Sequence, residues 1–303
     1  PYLLLGVALS AIIASAQQQV VTTAAIAPRI TGVSHLSVYA ADPAKSDIFY
    51  THDLGAFKAS DPQNPTGARY YFNPLQFIEV LPLQGPTSQV SRFDHAAYNV
   101  SDAGAMRGYL AAKGIAVPDK VANASDGARY FEIKDPEGNR IQFIQAPARA
   151  AAVPQNELSA HIIHVGYIVH DVDKEVAFYR DILGFRPYWH GGPTEDSNNW
   201  TSMQVPNGTD WVELMKVTGE PTQSAAGTLN HFSLGVANIE RATDILFNGN
   251  RFTGRNTPAP KIGRDAKWQL NMFDPDGTRA EIMEFQPIGK PCCSPFLLPS
   301  PTQ

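Results

Sequence analysis

Eight residues of the chain form four pairs whose types bind metal ions in proteins. Each pair consists of a histidine and, 44 to 50 residues later, a carboxylate or amide residue. The pairs are His35 with Glu79, His95 with Gln142, His164 with Glu213, and His231 with Glu281. Imidazole nitrogens and carboxylate oxygens together suit borderline divalent ions, so the pairs predict a site for Fe, Mn, Zn, Ni or Co.

The residues beside each histidine favour a role as a ligand. Each histidine lies in an alternating, β-branched segment typical of a strand, in which residues i and i+2 share one face. A very small residue follows each histidine at i+2: Ser37, Ala97, Gly166 and Ser233. These positions predict open space beside each imidazole, which an ordinary core would fill with a larger side chain. A lone strand histidine is more often structural, but four equivalent ones favour metal binding.

The two halves of the chain differ in how complete this set is. The second half supplies two histidines and two carboxylates, which we predict to form the metal site: His164, Glu213, His231 and Glu281. The first half supplies His35, Glu79, His95 and Gln142. Because an amide there replaces one carboxylate and removes a charge, we predict a weaker or vestigial second site.

The segments that position these residues repeat four times in one order, and the repeat predicts the fold. Each histidine strand is followed by an Asp or Asn that can cap a helix, then by a helical pattern and by further strands. The last strand of each repeat carries the carboxylate or amide. The clearest helical pattern covers residues 171–185, where Gly184 supplies the stop signal. The sequence therefore predicts an α+β protein of four βαβββ modules.

The spacing of the modules predicts the domain boundaries. A stretch rich in Ala, Pro and Gln separates the second module from the third and divides the modules into two pairs. We predict a first pair over residues 30–146, a linker over 147–160, a second pair over 161–286 and a Pro-rich tail over 287–303. In modules two and four, Asp-Pro-Glu-Gly (135–138) and Asp-Pro-Asp-Gly (274–277) predict tight turns before the last strand.

Charge and the two ends of the chain bear on partners and location. A net charge of −5 without a Lys/Arg cluster gives no electrostatic footprint for nucleic acid. Residues 1–16 are apolar, uncharged and end in Ala-Ser-Ala, which is typical of a signal peptide cleaved after Ala16. The segment predicts a secreted or periplasmic protein without a membrane span after cleavage, and an uncleaved anchor is the alternative. Cys292 and Cys293 are adjacent in the tail; since neighbouring cysteines seldom bridge each other, we expect other partners, including self-association through the tail.

Two segments carry a resemblance to a known family. Residues 178–185 read FYRDILGF and residues 274–285 read DPDGTRAEIMEF. With the strand histidines, they resemble the vicinal oxygen chelate superfamily, which includes glyoxalase I, bleomycin-binding proteins and extradiol dioxygenases. The resemblance implies that paired modules curl into a cup around a divalent metal. It also implies a small substrate that chelates the metal through adjacent oxygens.

Carried over residue by residue, the resemblance implies His164, His231 and Glu281 as metal ligands. Glu213 matches an additional carboxylate that serves as a ligand or as a proton-shuttling base, so Glu213 and Glu281 are the residues expected to act in catalysis. Extradiol dioxygenases present a tyrosine at the place where Asn271 stands here, ten residues before Glu281. Two functions are therefore open. One is a metal-dependent lyase, isomerase or dioxygenase; the other is a non-catalytic secreted binding protein or a structural subunit of an extracellular assembly.

Overall fold

The computed structural model of the protein describes residues 27–86, 88–253 and 259–302. The predicted signal peptide lies outside these residues. The elements of the first half are β1 (Ile30–Ala40), α1 (Pro43–Ile48), β2 (Phe57–Ser60), β3 (Ala68–Asn73), β4 (Gln76–Pro82), β5 (Phe93–Val100), α2 (Ala103–Ala112), β6 (Ala122–Asn123), β7 (Arg129–Lys134) and β8 (Arg140–Gln145). Those of the second half are β9 (Ile162–Val169), α3 (Val172–Ala177), β10 (Arg186–Gly191), β11 (Trp200–Gln204), β12 (Trp211–Lys216), α4 (Gln223–Leu229), β13 (His231–Val236), α5 (Ile239–Asn248), β14 (Lys261–Ile262), β15 (Trp268–Phe273) and β16 (Arg279–Glu284).

The strands form two curled sheets of eight strands, one in each half. We call the sheet of the first half the first cup and that of the second half the second cup. Their orders are β2-β3-β4-β1-β5-β8-β7-β6 and β10-β11-β12-β9-β13-β16-β15-β14. Within each module the first and last strands pair in parallel, and the two modules of a half meet through their antiparallel first strands. The prediction of an α+β fold with four βαβββ modules in two paired halves is confirmed. This order brings the strand histidines and the last-strand acids into the four middle strands of each sheet.

The helices start where the sequence predicts and, in two modules, end in a way that it does not show. Asp42, Asp102, Asp171 and Asn238 each cap a helix by accepting a hydrogen bond from the backbone N–H three residues later. In modules one and three the helix continues as a π-helical turn, over Phe49–Asp53 and Phe178–Ile182. Gly184 follows the second of these turns with a φ of +76°, as expected of a glycine helix stop. Helix α4, which precedes the fourth module, has no counterpart in the predicted repeat.

The faces of the sheets that carry the helices share one hydrophobic core across the two halves. Tyr98 of the second module packs edge-on against Phe185 of the third, with ring centroids 5.2 Å apart. Tyr50 of the first module donates a hydrogen bond of 3.0 Å to Asp274 Oδ2 of the fourth. Asp274 is itself held by its turn, because its Oδ1 accepts from Asp276 N and Thr278 N. The predicted Asp-Pro-Asp-Gly turn therefore also joins the halves.

The C-terminal residues pack back onto the second half. Residues 287–302, the described part of the Pro-rich tail, contain no helix or strand. Cys292 and Cys293 bond to each other, which corrects the expectation of separate partners. A left-handed backbone at Cys293 (φ 71°) turns the chain so that the neighbouring sulfurs meet. Self-association through the tail stays a prediction. Over the described part of the chain, no helix has the length and apolar character needed to cross a membrane.

Candidate metal centre

The four side chains predicted as the metal site meet on one face of the second sheet. Glu213 lies on β12, His164 on β9, His231 on β13 and Glu281 on β16, which are neighbouring strands. The Nε2 atoms of His164 and His231 are 3.0 Å apart. Glu281 Oε2 is 3.3 Å from His164 Nε2, and Glu213 Oε2 is 3.3 Å from His231 Nε2. Ligands held about 2.1 Å from one ion lie about 3.0–3.4 Å from each other, so the grouping of His164, His231 and Glu281 suits a single divalent ion. Glu213 lies outside this group of three, with its Oε2 4.0 Å from His164 Nε2.

Contacts behind the two imidazoles fix their orientation. His231 Nδ1 lies 2.8 Å from the carbonyl oxygen of Leu229. Because a carbonyl only accepts, this contact requires the proton on Nδ1 and leaves the Nε2 lone pair facing the cluster. The ring of His164 stacks on Trp211 with centroids 4.6 Å apart. Both rings therefore present Nε2 to the same point.

Three groups of the second cluster, Glu213, Glu281 and His231, have pKa values shifted in the direction that metal binding requires. Burial acts to raise the pKa of Glu213, but the contact with His231 and the charges that His164 and His231 carry when protonated outweigh it and lower that pKa. Burial likewise opposes ionisation of Glu281, yet Arg279, 3.2 Å from its Oε1, and His164 hold its pKa well below the usual value. Burial and the charge of Arg279 lower the pKa of His231. Ionised carboxylates and neutral imidazoles are the forms that bind a metal.

The small residue after each histidine has a different role from the one predicted. The sequence predicts that it leaves space beside the imidazole two residues earlier. In the structure, each small residue faces the histidine of the paired strand: Ser37 faces His95, Ala97 faces His35, Gly166 faces His231 and Ser233 faces His164. A methyl group on Gly166 would lie 2.1 Å from His231 Cε1. The space is therefore filled by the partner imidazole and allows the two rings to meet.

A cavity of about 330 Å³ opens above the second cluster. His164, Glu213 and Glu281 line it on the side of the sheet. Its other walls are mixed. Apolar side chains include Trp189, Trp200, Trp211, Met215, Met283 and Phe296, and polar ones include Ser202, Lys261, Arg264, Asp265, Gln269 and Arg279. A concave apolar pocket with a few convergent polar groups is the usual form of a small-molecule site.

The predicted first-half residues also come together. His35 Nε2 and His95 Nε2 are 3.0 Å apart, and Glu79 Oε2 is 3.9 Å from His95 Nε2. Gln142 is the register equivalent of Glu281. Its Nε2 lies 3.3 Å from His95 Nε2, whereas Glu281 contacts His164, the equivalent of His35. Asp94 Oδ2 accepts from His95 Nδ1 at 2.7 Å. This carboxylate–histidine contact orients the ring as in many metal sites.

Two differences make the first cluster less suited to a cation. Arg69, which is fully buried, lies across from Glu79 in the strand register and forms an ion pair of 3.0 Å with Asp61. The equivalent residue opposite Glu213 is Ser202. Burial, aided by a hydrogen bond and charge from Asp61, raises the pKa of Glu79 to about 7. At neutral pH the first cluster therefore has one partly protonated carboxyl where the second has two carboxylates.

The four remaining histidines lie away from both clusters. His52, His170 and His190 are half-buried or exposed, and His161 pairs with Asp210 at 2.7 Å. Sequence reasoning did not identify two residues near the second cluster, Lys267 and Phe296. Lys267 is buried with its ammonium 4.8 Å from the centre of the Trp211 ring. No sequence spacing links these residues, since their neighbours come from β10, β12 and the tail.

The donor set fits a divalent transition ion. Two imidazoles and one or two carboxylates form the mixed nitrogen and oxygen set that such ions prefer. Within the described residues, the buried polar atoms His164 Nδ1, Ser233 Oγ and Asn271 Oδ1 have no hydrogen-bond partner. Ser233 and Asn271 are both register partners of Glu281. Unpaired buried polar atoms around the cluster are expected where a polar group or water binds.

Comparison with solved structures finds proteins with the same fold. The Mn(II)-bound glyoxalase from Novosphingobium aromaticivorans has 15% identity, covers 85% of this chain and 83% of its own, and has a TM-score of 0.62. Homoprotocatechuate 2,3-dioxygenase from Arthrobacter globiformis has 18% identity, with coverages of 85% and 80% and a TM-score of 0.64. 2,2',3-Trihydroxybiphenyl 1,2-dioxygenase from Sphingomonas wittichii strain RW1 has 17% identity, with coverages of 90% and 100% and a TM-score of 0.61. At these identities the likeness concerns the fold.

Sequence comparison gives the family. Comparison with curated proteins finds no match. The family described as the Glyoxalase/Bleomycin resistance protein/Dioxygenase superfamily matches twice, over residues 32–143 and 161–282. The two matches fall on the two sheets and include all eight predicted site residues. The chain belongs to the glyoxalase/bleomycin resistance protein/dioxygenase superfamily.

Proposed function

We propose that the protein is a metal-dependent enzyme that acts, in the second half, on a small substrate with two adjacent oxygens. The observation that carries this proposal is the convergence of two imidazoles and two carboxylates on the floor of an aromatic-lined cavity. His164, His231 and Glu281 would hold the ion. When bound, a divalent ion supplies Lewis-acid polarisation of a substrate oxygen.

Glu213 and Glu281 have different surroundings, which supports different roles. Glu281 is paired with Arg279, and its side chain is 4% exposed. Glu213 has no such cation beside it among the described ion pairs, and its side chain is 13% exposed toward the cavity. A carboxylate next to the cavity can take a proton from a bound substrate and return it at a neighbouring atom. This arrangement supports Glu213 as the acid–base group and Glu281 as a ligand.

The arrangement favours a lyase or isomerase reaction over ring cleavage. Proton transfer by Glu213 suffices for the first two, and Asn271, the register partner of Glu281, offers an amide that does not titrate. A dioxygenase reaction is the alternative within the same site. Turnover of α-keto aldehydes would support the first assignment, and turnover of catechols the second. Full metal binding without turnover of any of them would favour the non-catalytic binding protein.

The decisive experiment measures metal in protein purified without a metal-affinity tag. We expect close to one equivalent of a transition ion per chain, or its recovery after reconstitution with Mn(II), Fe(II), Co(II), Ni(II) or Zn(II). The His164→Ala/His231→Ala variant should lose this ion, whereas His190→Ala, which removes an exposed imidazole, should retain it. Wild-type protein that neither carries nor retains a transition ion would refute the proposal.

We further propose that the protein acts outside the cytoplasm, on the basis of the signal-peptide pattern of residues 1–16. N-terminal sequencing of protein recovered from the culture medium or periplasm tests this. A new N-terminus at Gln17 supports export, and recovery of the uncleaved chain from the cytosol contradicts it.

A further inference from the structure

The C-terminal tail, residues 287–302, is bound along the edge strand of the second sheet. Leu297 N donates to Tyr188 O at 2.9 Å, and His190 N donates to Ser294 Oγ at 2.9 Å. Further along, Gln204 Nε2 donates to Pro299 O at 2.8 Å. These bonds hold the tail on both sides of Phe296 and cover the free edge of β10, which is a usual way to protect an edge strand.

Phe296 is the tail residue that reaches the cavity above the second cluster. It lines that cavity together with Trp189, Trp200 and Trp211. Its ring lies 4.9 Å from the ring of Tyr188, measured between centroids. The next residue, Leu297, points away and is 62% exposed. The tail therefore contributes one side chain to the wall of the cavity.

A buried cation fixes the Phe296 ring. The Lys267 ammonium is 5.1 Å from the centre of the Phe296 ring and 4.8 Å from that of Trp211. It donates one hydrogen bond, of 3.2 Å, to Tyr188 Oη. A buried ammonium requires compensation, which the charges of Asp265, Glu281 and Glu213 supply together with the aromatic faces. In the second module the equivalent residue by strand register is Ala128, so this arrangement belongs to the second cup alone.

We propose that Phe296 is a specificity-determining residue of the second cup, because the bound tail places its ring where it limits the length of the substrate. The proposal rests on the proposed function in taking this cavity as the substrate site. A substrate whose adjacent oxygens reach the metal ligands would extend along the tryptophan-lined wall toward Phe296. A bulky substituent at that end would collide with the ring, and a compact substrate would not.

Two measurements on the full-length chain test this proposal. The first is acrylamide quenching of tryptophan fluorescence in metal-free protein, which depends on neither metal nor substrate. Phe296→Ala should increase the quenching constant, because three of the four tryptophans line the cavity. Leu297→Ala, the matched control on the same tail, should leave it unchanged. Phe296→Ala also uncovers the Lys267 charge. Phe296→Leu keeps an apolar side chain at this position and should increase the quenching constant less. Phe296→Ala/Lys267→Met removes the charge as well and should increase the quenching constant as much as Phe296→Ala, if the effect comes from the lost ring.

The second measurement compares two chelating probes, catechol and 4-tert-butylcatechol, on Co(II)-loaded protein. Phe296→Ala should improve the affinity for the bulky probe relative to catechol by at least ~10-fold, the usual scale for a few methyl groups in an apolar pocket. Leu297→Ala should leave this ratio within about twofold. An unchanged ratio would overturn the proposal, whatever the quenching shows. Loss of metal binding by the wild type would instead overturn the proposed function, and quenching would still report on the wall.

Discussion

Gly166 gives the sharpest test of the second cluster, because its lack of a side chain is what lets His231 take its place. A methyl group at this position would lie 2.1 Å from His231 Cε1 and 2.5 Å from Nδ1. Non-bonded atoms of these types keep about 3.5 Å apart. In Gly166→Ala the imidazole must therefore move by more than about 1 Å, and its Nδ1 contact with Leu229 is broken or strained.

This movement is large compared with the tolerance of a metal site. Ligand distances in such sites vary by only about 0.2 Å, so His231 would cease to be a ligand. Loss of a partner that merely orients a ligand costs ~10–100-fold in metal affinity, and loss of the ligand itself should cost at least the upper figure. The forced repacking should also lower the free energy of unfolding by about 1–3 kcal/mol.

The assay is a competition titration of Co(II) or Mn(II) against a chromophoric chelator, with urea unfolding in parallel. Gly108→Ala is the matched control, since nothing lies within 4 Å of the added methyl group; in helix α2 it should stabilise by about 0.5–1 kcal/mol. In a His231→Ala background, Gly166→Ala should lose most of its cost, because the ring that it strikes is gone. Equal metal affinity in Gly166→Ala and the wild type, or an undiminished stability cost in that background, would refute the reasoning.

Two further predictions concern charge. Gln142→Glu, made in the His164→Ala/His231→Ala background, should raise the metal affinity of the first cluster by at least ~10-fold, measured by the same titration; no gain would show that Arg69 and the partly protonated Glu79 exclude a cation. Burial, together with the charge of Asp135, raises the pKa of Glu175 from 4.5 to about 8, so the folded state holds this proton more tightly than the unfolded state. The free energy of unfolding should therefore fall as pH rises from 4.5 to 8, by up to about 1.4 kcal/mol per unit. Glu175→Gln should reduce this decline by the contribution of Glu175, and parallel urea-stability profiles of the two proteins from pH 5 to 9 would contradict the prediction.

Features that depend on short stretches of sequence could be predicted, and features that depend on register or distant packing could not. The caps at Asp171 and Asn238 and the Asp274 turn are local, so residue type was enough. The alignment of four histidines identified residues that the structure brings together, because the repeat placed them at equivalent positions. That Gly166 faces His231 rather than flanking His164 required the antiparallel pairing of β9 and β13, which no spacing within one strand contains.

The inequality of the two cups follows from substitutions at equivalent register positions. In the second cup Gly166 faces His231, and in the first cup Ser37 faces His95. The Cβ of Ser37 takes up space that Gly166, at the equivalent position, leaves to the imidazole. Accordingly, His95 turns its Nδ1 to the Asp94 carboxylate, and His231 turns its Nδ1 to a backbone carbonyl. The first cup also has Arg69 in the position of Ser202. Arg69 adds a fixed positive charge across from Glu79, in a cluster where Gln142 already replaces the second carboxylate. The charge of Arg69 acts on the first cluster, where it adds to burial in lowering the pKa of His35. The same charge would repel a bound cation, so the chain should concentrate its metal in the second cup, which has Ser202 in place of Arg69.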